Sequence, residues 1–172
     1  MMVESSVLVP VYRGGDGELR LVLIRRSDSG GHGGDLAFPG GKRDAADKSM
    51  LHTALREARE EIGIPENRIE ILAHLPPTET RISGFRIYPF LGRVIQPVQW
   101  QRNEREVAEI LDVSLVEVVS AEVVDEDVSS PATIASPQRT PCYRVGAQQL
   151  WGVSYRILRA LAPRLLAGEW KV

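Results

Sequence analysis

An amphipathic segment at residues 48–62 limits the possible folds of this chain more than any other stretch. At about 100° per residue, its apolar side chains fall within one stripe roughly 60° wide, formed by Leu51, Leu55, Ala58 and Ile62. Gly63 follows directly and Pro65 comes shortly after, a pair that is typical of a helix end. The segment therefore predicts a helix over residues 48–62 that packs one face against a core.

A second face of the same predicted helix carries three glutamates. Glu57, Glu60 and Glu61 are spaced i, i+3 and i+4, about 130° from the apolar stripe on average. Like charges at this spacing repel, and oxygen ligands so arranged suit Mg²⁺ or Mn²⁺. The plainer interpretation is a solvated acidic face in which Arg56 and Glu60 form an i,i+4 pair. When the helix is considered by itself, this interpretation is favoured, because acidic surface helices are common.

Strand and helix patterns alternate along the rest of the chain. This order predicts an α/β (α+β) fold in which a mixed sheet lies between helices. The predicted strands are residues 7–12 and 19–24, which form a hairpin, then 36–38, 69–75 and 85–95. The other predicted elements are loops at 26–35, 76–84 and 129–141, a strand or turn with a short helix at 104–119, and a helix at 150–166.

Length and composition exclude several classes of protein. The 172 residues suit one domain, which we expect to span residues 1–172, and the net charge of −2 argues against a nucleic-acid-binding protein. No apolar run approaches the roughly 18 residues of a membrane span, and we expect no signal peptide. Because Cys142 is the only cysteine, we expect no intrachain disulfide and a cytoplasmic location.

A glycine-rich loop before the helix changes the interpretation of the acidic face. The residues Phe38-Pro39-Gly40-Gly41 form a tight loop in which backbone groups can approach a ligand closely. Together with residues 56–64, REAREEIGI, this loop resembles the Nudix hydrolases, whose motif reads G-x5-E-x7-R-E-U-x-E-E-x-G-U, with U a bulky aliphatic residue. Three positions differ: Ala58 replaces the first U, Lys48 occupies the first glutamate position, and Gly41 lies one residue farther upstream.

Segments outside this motif are similar to the coenzyme A pyrophosphatase branch of the Nudix hydrolases. They are residues 24–27, 32–34, 36–41, 106–109 and 150–158, so the similarity covers most of the chain. The resemblance implies a Nudix-type α/β/α sandwich and a metal-dependent pyrophosphohydrolase. Its products would be 3′,5′-ADP and a 4′-phosphopantetheine species.

The same resemblance assigns roles to individual residues. The implied ligands of Mg²⁺ or Mn²⁺ are Glu57, Glu60, Glu61 and the Gly41 carbonyl, and Arg56 orients these carboxylates. The water-activating base is Glu57, Glu61 or a loop glutamate, for which Glu106 is preferred over Glu104 and Glu109. The implied substrate contacts are Arg25, Arg26, His32 and the backbone of Gly40.

Several of these residues have simpler interpretations that the sequence leaves open. Glu106 is equally an ordinary surface carboxylate, and Arg25 and Arg26 are equally a solvated strand end. Asp44 and Asp47 are either outer partners of a metal or turn residues.

The sequence also leaves the identity of the substrate open. Gly30-Gly31 stands where the coenzyme A branch has a Leu-Arg pair, which favours an alternative with the same chemistry. That alternative acts on ADP-ribose, another nucleoside diphosphate derivative or a nucleoside triphosphate. A non-catalytic ligand-binding module on the same fold ranks below both, because none of the three helix glutamates is lost. The resemblance allows a homodimer, for which the residues identify no interface.

Overall fold

A long first strand organises the larger of two sheets in this computed structural model, which describes residues 2–28, 33–80, 84–128 and 138–172. The strands of this sheet are β1 (Val3–Arg13), β2 (Leu19–Arg26), β3 (Leu36–Ala37), β4 (Gly40–Lys42), β5 (Ile69–His74), β6 (Thr78–Glu79), β7 (Phe85–Val94) and β8 (Val107–Ser114). Strand β1 pairs antiparallel with β2 and β4 and parallel with β7. The predicted hairpin and the predicted mixed sheet are therefore confirmed.

Helix α1 (Met50–Ile62) confirms the predicted amphipathic helix and covers one face of this sheet. It begins after Ser49, whose hydroxyl accepts a hydrogen bond from the His52 amide at 3.1 Å. The helix starts two residues later than predicted, because serine caps a helix better than the lysine before it. It ends at Gly63, whose φ of 74° lies in the left-handed region that glycine adopts without strain.

A small second sheet and two further helices cover the opposite face. In chain order these elements are α2 (Leu115–Ser120), β9 (Glu122–Val128), β10 (Gln138–Val145), β11 (Gln148–Trp151) and α3 (Gly152–Leu166). The sequence patterns do not predict this sheet, since β9 reads as an acidic and exposed segment. The predicted loop at 129–141 is wrong from residue 138 onward, and α3 starts at Gly152 because residues 148–151 pair with β10.

Alternate side chains of the central strands enter two separate hydrophobic clusters. Leu8 and Val22 pack in the cluster that includes Ile62 of α1. Their neighbours Val9 and Leu21 pack in the cluster formed with α2, α3 and the small sheet. This period of two is that of a strand buried on both faces. The predicted sandwich, with a mixed sheet between helices, is thus confirmed.

Replacing Leu150 on β11 with alanine tests whether the small sheet belongs to the main core. Leu150 is fully buried in the cluster that includes α3. The cavity is expected to lower the free energy of unfolding by about 2–5 kcal/mol, measured by urea denaturation. The control Val124→Ala removes an apolar side chain that is 78% exposed on β9 of the same sheet, and should change stability by less than about 0.5 kcal/mol. Equal stability of the two variants would contradict the expectation.

Candidate active site

Two consecutive glycines bring strand β4 into contact with both β1 and α1. A Cβ atom on Gly40 would lie 2.3 Å from the carbonyl oxygen of Ser6 on β1. A Cβ atom on Gly41 would lie 2.6 Å from the carboxyl carbon of Glu57 on α1. Neither position has space for a side chain. The glycine pair thus places the backbone of β4 directly against the glutamates of the helix.

Glu61 is the most buried of the three helix glutamates, with only 3% of its surface exposed. Its Oε2 accepts a hydrogen bond from the Gly40 amide at 2.8 Å. Burial is the main cause that raises the pKa of Glu61 to about 8. The Gly40 hydrogen bond and the charge of Arg26 oppose this rise, whereas the charges of Glu57 and Glu106 add to it. A cation bound here would favour the ionised carboxylate.

Arg56 bridges the other two helix glutamates. Its Nη1 lies 2.8 Å from Oε1 of Glu57 and donates to Oε2 of Glu60 at 3.0 Å. The Glu60 side chain is 45% exposed, whereas Glu57 is largely buried, and this burial raises the pKa of Glu57. Glu57 and Glu60 thus lie beside Arg56, and Glu61 lies beside the glycine pair. The exposed fractions of the three side chains differ widely.

Asp47 is the acidic residue that holds Arg56 in place. Arg56 donates from Nε and Nη2 to the two carboxylate oxygens of Asp47, both at 2.9 Å. The Thr53 hydroxyl and the Asp44 amide also donate to Asp47 at 2.9 Å, and these partners enclose its side chain, which is 1% exposed. The Arg56 pair is the main cause that holds the pKa of Asp47 well below its usual range. Asp47 therefore orients the arginine that contacts the glutamates. The prediction that Asp47 is simply a turn residue describes only part of its role.

Glu106 lies at the end of the turn that precedes β8. Its negative charge contributes to the raised pKa of both Glu57 and Glu61. Glu104 on the same turn lies 3.1 Å from Arg102, and its side chain is 81% exposed. Of these two turn glutamates, Glu106 is thus the one whose charge acts on both helix carboxylates.

The two arginines at the end of β2 have different surroundings. Nε of Arg25 lies 3.4 Å from Oε2 of Glu109 on the neighbouring strand β8. The charge of Arg26 lowers the pKa of the buried Glu61. His32, the third predicted side-chain contact to substrate, lies outside the described residues.

The atoms around Gly41 have the chemistry of a site for a hard cation. The candidate donors are all oxygens, as Mg²⁺ and Mn²⁺ prefer. The Gly41 carbonyl accepts a hydrogen bond from the Ser5 hydroxyl at 2.6 Å. Across the described ranges, no three acidic, His or Cys side chains already surround a common point. A cation would compete with Arg56 for the oxygens of Glu57 and Glu60.

Replacing Asp47 with asparagine is expected to lower the free energy of unfolding by about 2 kcal/mol at neutral pH, because Arg56 loses its bidentate partner. The folded pKa of Asp47 lies below its unfolded value of about 3.9, so its contribution is complete above about pH 5 and is lost as the pH falls. Urea denaturation of wild type and variant at pH 7 and pH 3 measures both differences.

The matched control for this variant is Asp125→Asn, which breaks an exposed ion pair with Arg139. It should change stability by less than about 0.5 kcal/mol. A stability difference between wild type and D47N that is the same at both pH values would contradict the low pKa of Asp47.

Sequence comparisons relate this chain to a known protein family. The NUDIX domain family matches residues 2–133. An uncharacterized Nudix hydrolase, NudL, of Pectobacterium atrosepticum is 36% identical over 163 residues, covering 92% of this chain and 81% of that protein. An uncharacterized NudL of Yersinia enterocolitica is 40% identical over 117 residues, covering 67% of this chain and 58% of that protein.

Solved structures share the fold at low sequence identity. The Nudix hydrolase RenU of M. smegmatis has a TM-score of 0.63 and 16% identity, covering 99% of this chain and 88% of that one. The NUDIX domain of Shewanella oneidensis NrtR, solved with ADP ribose, has a TM-score of 0.62 and 17% identity, covering 96% and 89%. The structural matches support the fold, and the domain match with the sequence relatives shows that this chain belongs to the Nudix hydrolase family.

Proposed function

We propose that this Nudix hydrolase is a metal-dependent pyrophosphohydrolase that cleaves the diphosphate of coenzyme A or its derivatives. The products would be 3′,5′-ADP and a 4′-phosphopantetheine species. The observation that carries the chemistry is the contact of Glu57 and Glu61 with the backbone of Gly41 and Gly40, with the charge of Glu106 acting on both carboxylates. The choice of coenzyme A rests on the similarity of the upstream and C-terminal segments to that branch.

Nudix hydrolases generally use divalent metal ions. When bound, such an ion stabilises negative charge on the diphosphate and acidifies a bound water. The proposed ligands for Mg²⁺ or Mn²⁺ are Glu57, Glu60, Glu61 and the Gly41 carbonyl. Hydrogen bonds already orient two of these ligands, because the Gly40 amide bonds to Glu61 and the Ser5 hydroxyl bonds to Gly41.

The remaining site residues act on the water and the substrate. Glu106 accepts the proton of the attacking water, with Glu57 and Glu61 as the alternative acceptors. Arg56 is a positioning residue, since it bonds to the helix carboxylates. The proposed substrate contacts are Arg26, which binds the diphosphate, together with Arg25, His32 and the Gly40 backbone.

ADP-ribose, another nucleoside diphosphate derivative or a nucleoside triphosphate is the second candidate substrate. The observation that favours it is the Gly30-Gly31 pair, which departs from the Leu-Arg pair of the coenzyme A branch. The structurally similar NrtR domain was solved with ADP ribose, which supports the same alternative.

Three further expectations stay predictions: a single domain over residues 1–172, a homodimer and a cytoplasmic location. In the part of the chain that the structure describes, no helix is long and apolar enough to cross a membrane.

Product analysis with Mg²⁺ or Mn²⁺ separates the two substrate candidates. Coenzyme A, ADP-ribose and a nucleoside triphosphate are offered at equal concentration, and products are identified by mass. We expect coenzyme A to be split fastest, into 3′,5′-ADP and 4′-phosphopantetheine. Preference for ADP-ribose or the triphosphate would contradict the coenzyme A assignment and leave the hydrolase chemistry in place.

Replacing Glu61 with glutamine tests the proposed metal ligand. The amide oxygen can still accept the Gly40 hydrogen bond, but it no longer offers a charged ligand. We expect kcat to fall at least about 100-fold, and Mn²⁺ binding measured by calorimetry to weaken. The control Glu66→Gln makes the same change at an exposed glutamate just beyond α1 and should leave kcat unchanged.

A stability measurement shows whether the E61Q variant keeps its fold. The pKa of Glu61 is raised from an unfolded value of about 4.3 to about 8, so ionised Glu61 destabilises the fold increasingly across this range. The metal-free E61Q protein should therefore be at least as stable as wild type at pH 9. Unchanged activity in this folded variant would refute the ligand assignment.

A further inference from the structure

The turn that carries Glu106 is closed by a single residue, Asn103. The Asn103 carbonyl accepts hydrogen bonds from the amides of Glu106 at 3.1 Å and Val107 at 2.8 Å. Its side-chain Oδ1 also accepts the Arg105 amide at 3.2 Å. The backbone and side chain of Asn103 together accept the amides of Arg105, Glu106 and Val107, which closes a compact turn.

One side of this turn is bonded to the end of helix α1. The Asn103 amide donates to the Glu61 carbonyl at 3.1 Å, and the Gln101 amide donates to the Ile62 carbonyl at 3.0 Å. These carbonyls belong to the last turn of the helix, where no intrahelical donor is present. A Cβ atom on Gly63 would lie 2.6 Å from the Cβ of Gln101, so glycine permits this close crossing. The turn is thus bonded to the backbone of Glu61 itself.

The other side of the turn is bonded to the end of strand β2. The Ser27 amide donates to the Glu106 carbonyl, and the Ser27 hydroxyl donates to the Arg105 carbonyl, both at 2.9 Å. The pairing of β2 with β8 shifts register just before this point, between Arg25 and Arg26. The amide of Glu106 is therefore bonded to Asn103 and its carbonyl to Ser27, so its backbone is held on both sides.

We infer that Asn103 and Ser27 are positioning residues that hold the Glu106 carboxylate in a defined place relative to Glu61. The inference rests on the proposed function, in which Glu106 accepts a proton from water. A base must lie within hydrogen-bond reach of that water, and a displacement of about 1 Å can lower the rate by about 100-fold. Neither Asn103 nor Ser27 needs to touch the substrate for this effect.

The first test compares variants that remove or keep the side-chain bonds. Asn103→Ala and Ser27→Ala are expected to lower kcat about 10-fold and to change KM less than about twofold. Asn103→Asp keeps the oxygen that accepts the Arg105 amide, and Ser27→Thr keeps the hydroxyl, so both should recover most of the lost kcat. The control Ser120→Ala removes a similar serine-to-carbonyl bond, 2.7 Å long, on α2 and should leave kcat unchanged.

Hydrogen exchange gives a readout that does not depend on turnover. Exchange of the Glu106 amide should be faster in Asn103→Ala and Ser27→Ala than in wild type, because the turn opens more often. It should be unchanged in Glu106→Gln, which keeps the backbone bonds. Equal exchange in all these proteins would overturn the inference.

A double-mutant cycle with Glu106→Gln decides whether the two residues act through Glu106. We expect Asn103→Ala to lower kcat strongly in wild type and hardly at all in the E106Q background. Equal losses in the two backgrounds would overturn the inference and leave the proposed function standing. Full activity of E106Q would overturn both the role of Glu106 and the inference. A wild-type protein that hydrolyses no diphosphate substrate would overturn the proposed function and, with it, the inference.

Discussion

The close approach of strand β4 to both β1 and helix α1 is the contact on which the site depends. It exists only because residues 40 and 41 have no side chains, so that backbone atoms of β4 reach Ser6 on one side and Glu57 on the other. The same approach lets the Gly40 amide bond to Glu61. A side chain at residue 41 would collide with Glu57 of the helix, and one at residue 40 would collide with β1, so either would disturb this contact.

Burying acidic groups opposes folding, and the partners of the two buried carboxylates offset this cost to different extents. Glu61 keeps a raised pKa of about 8 because burial outweighs the Gly40 hydrogen bond and the charge of Arg26. Asp47, by contrast, is enclosed with a bidentate arginine and two further donors, and its carboxylate is stabilised. Asp47 therefore stabilises the fold, whereas ionised Glu61 destabilises it when no cation is bound. A cation bound beside Glu61 would favour its ionised form and so relieve this cost.

Parts of the fold with a strong local pattern could be predicted from the sequence. Helix α1 has its apolar stripe and its terminating glycine, and the β1–β2 hairpin has two β-branched runs around a glycine turn. The small sheet of β9, β10 and β11 has no such pattern, because β9 is acidic and exposed, and its strands exist through pairing with one another. Residues 150–151 have helical spacing yet form the end of β11, since pairing with β10 outweighs the local preference.

For the site, the sequence by itself determined the chemistry: three glutamates at one helix end, a glycine pair ahead of them, and a motif that indicates a Nudix hydrolase. Linear spacing carries this information because the three glutamates lie on one helix, whose geometry is known in advance. Only the tertiary structure decided which acid holds Arg56, and which turn glutamate and which arginine act by their charge on Glu61. Those outcomes depend on contacts between different elements, such as the loop residue Asp47 with Arg56 of α1 and Ser27 with Glu106 of the turn. No periodicity encodes such contacts, because they form only when the sheet, the helix and the turn pack together.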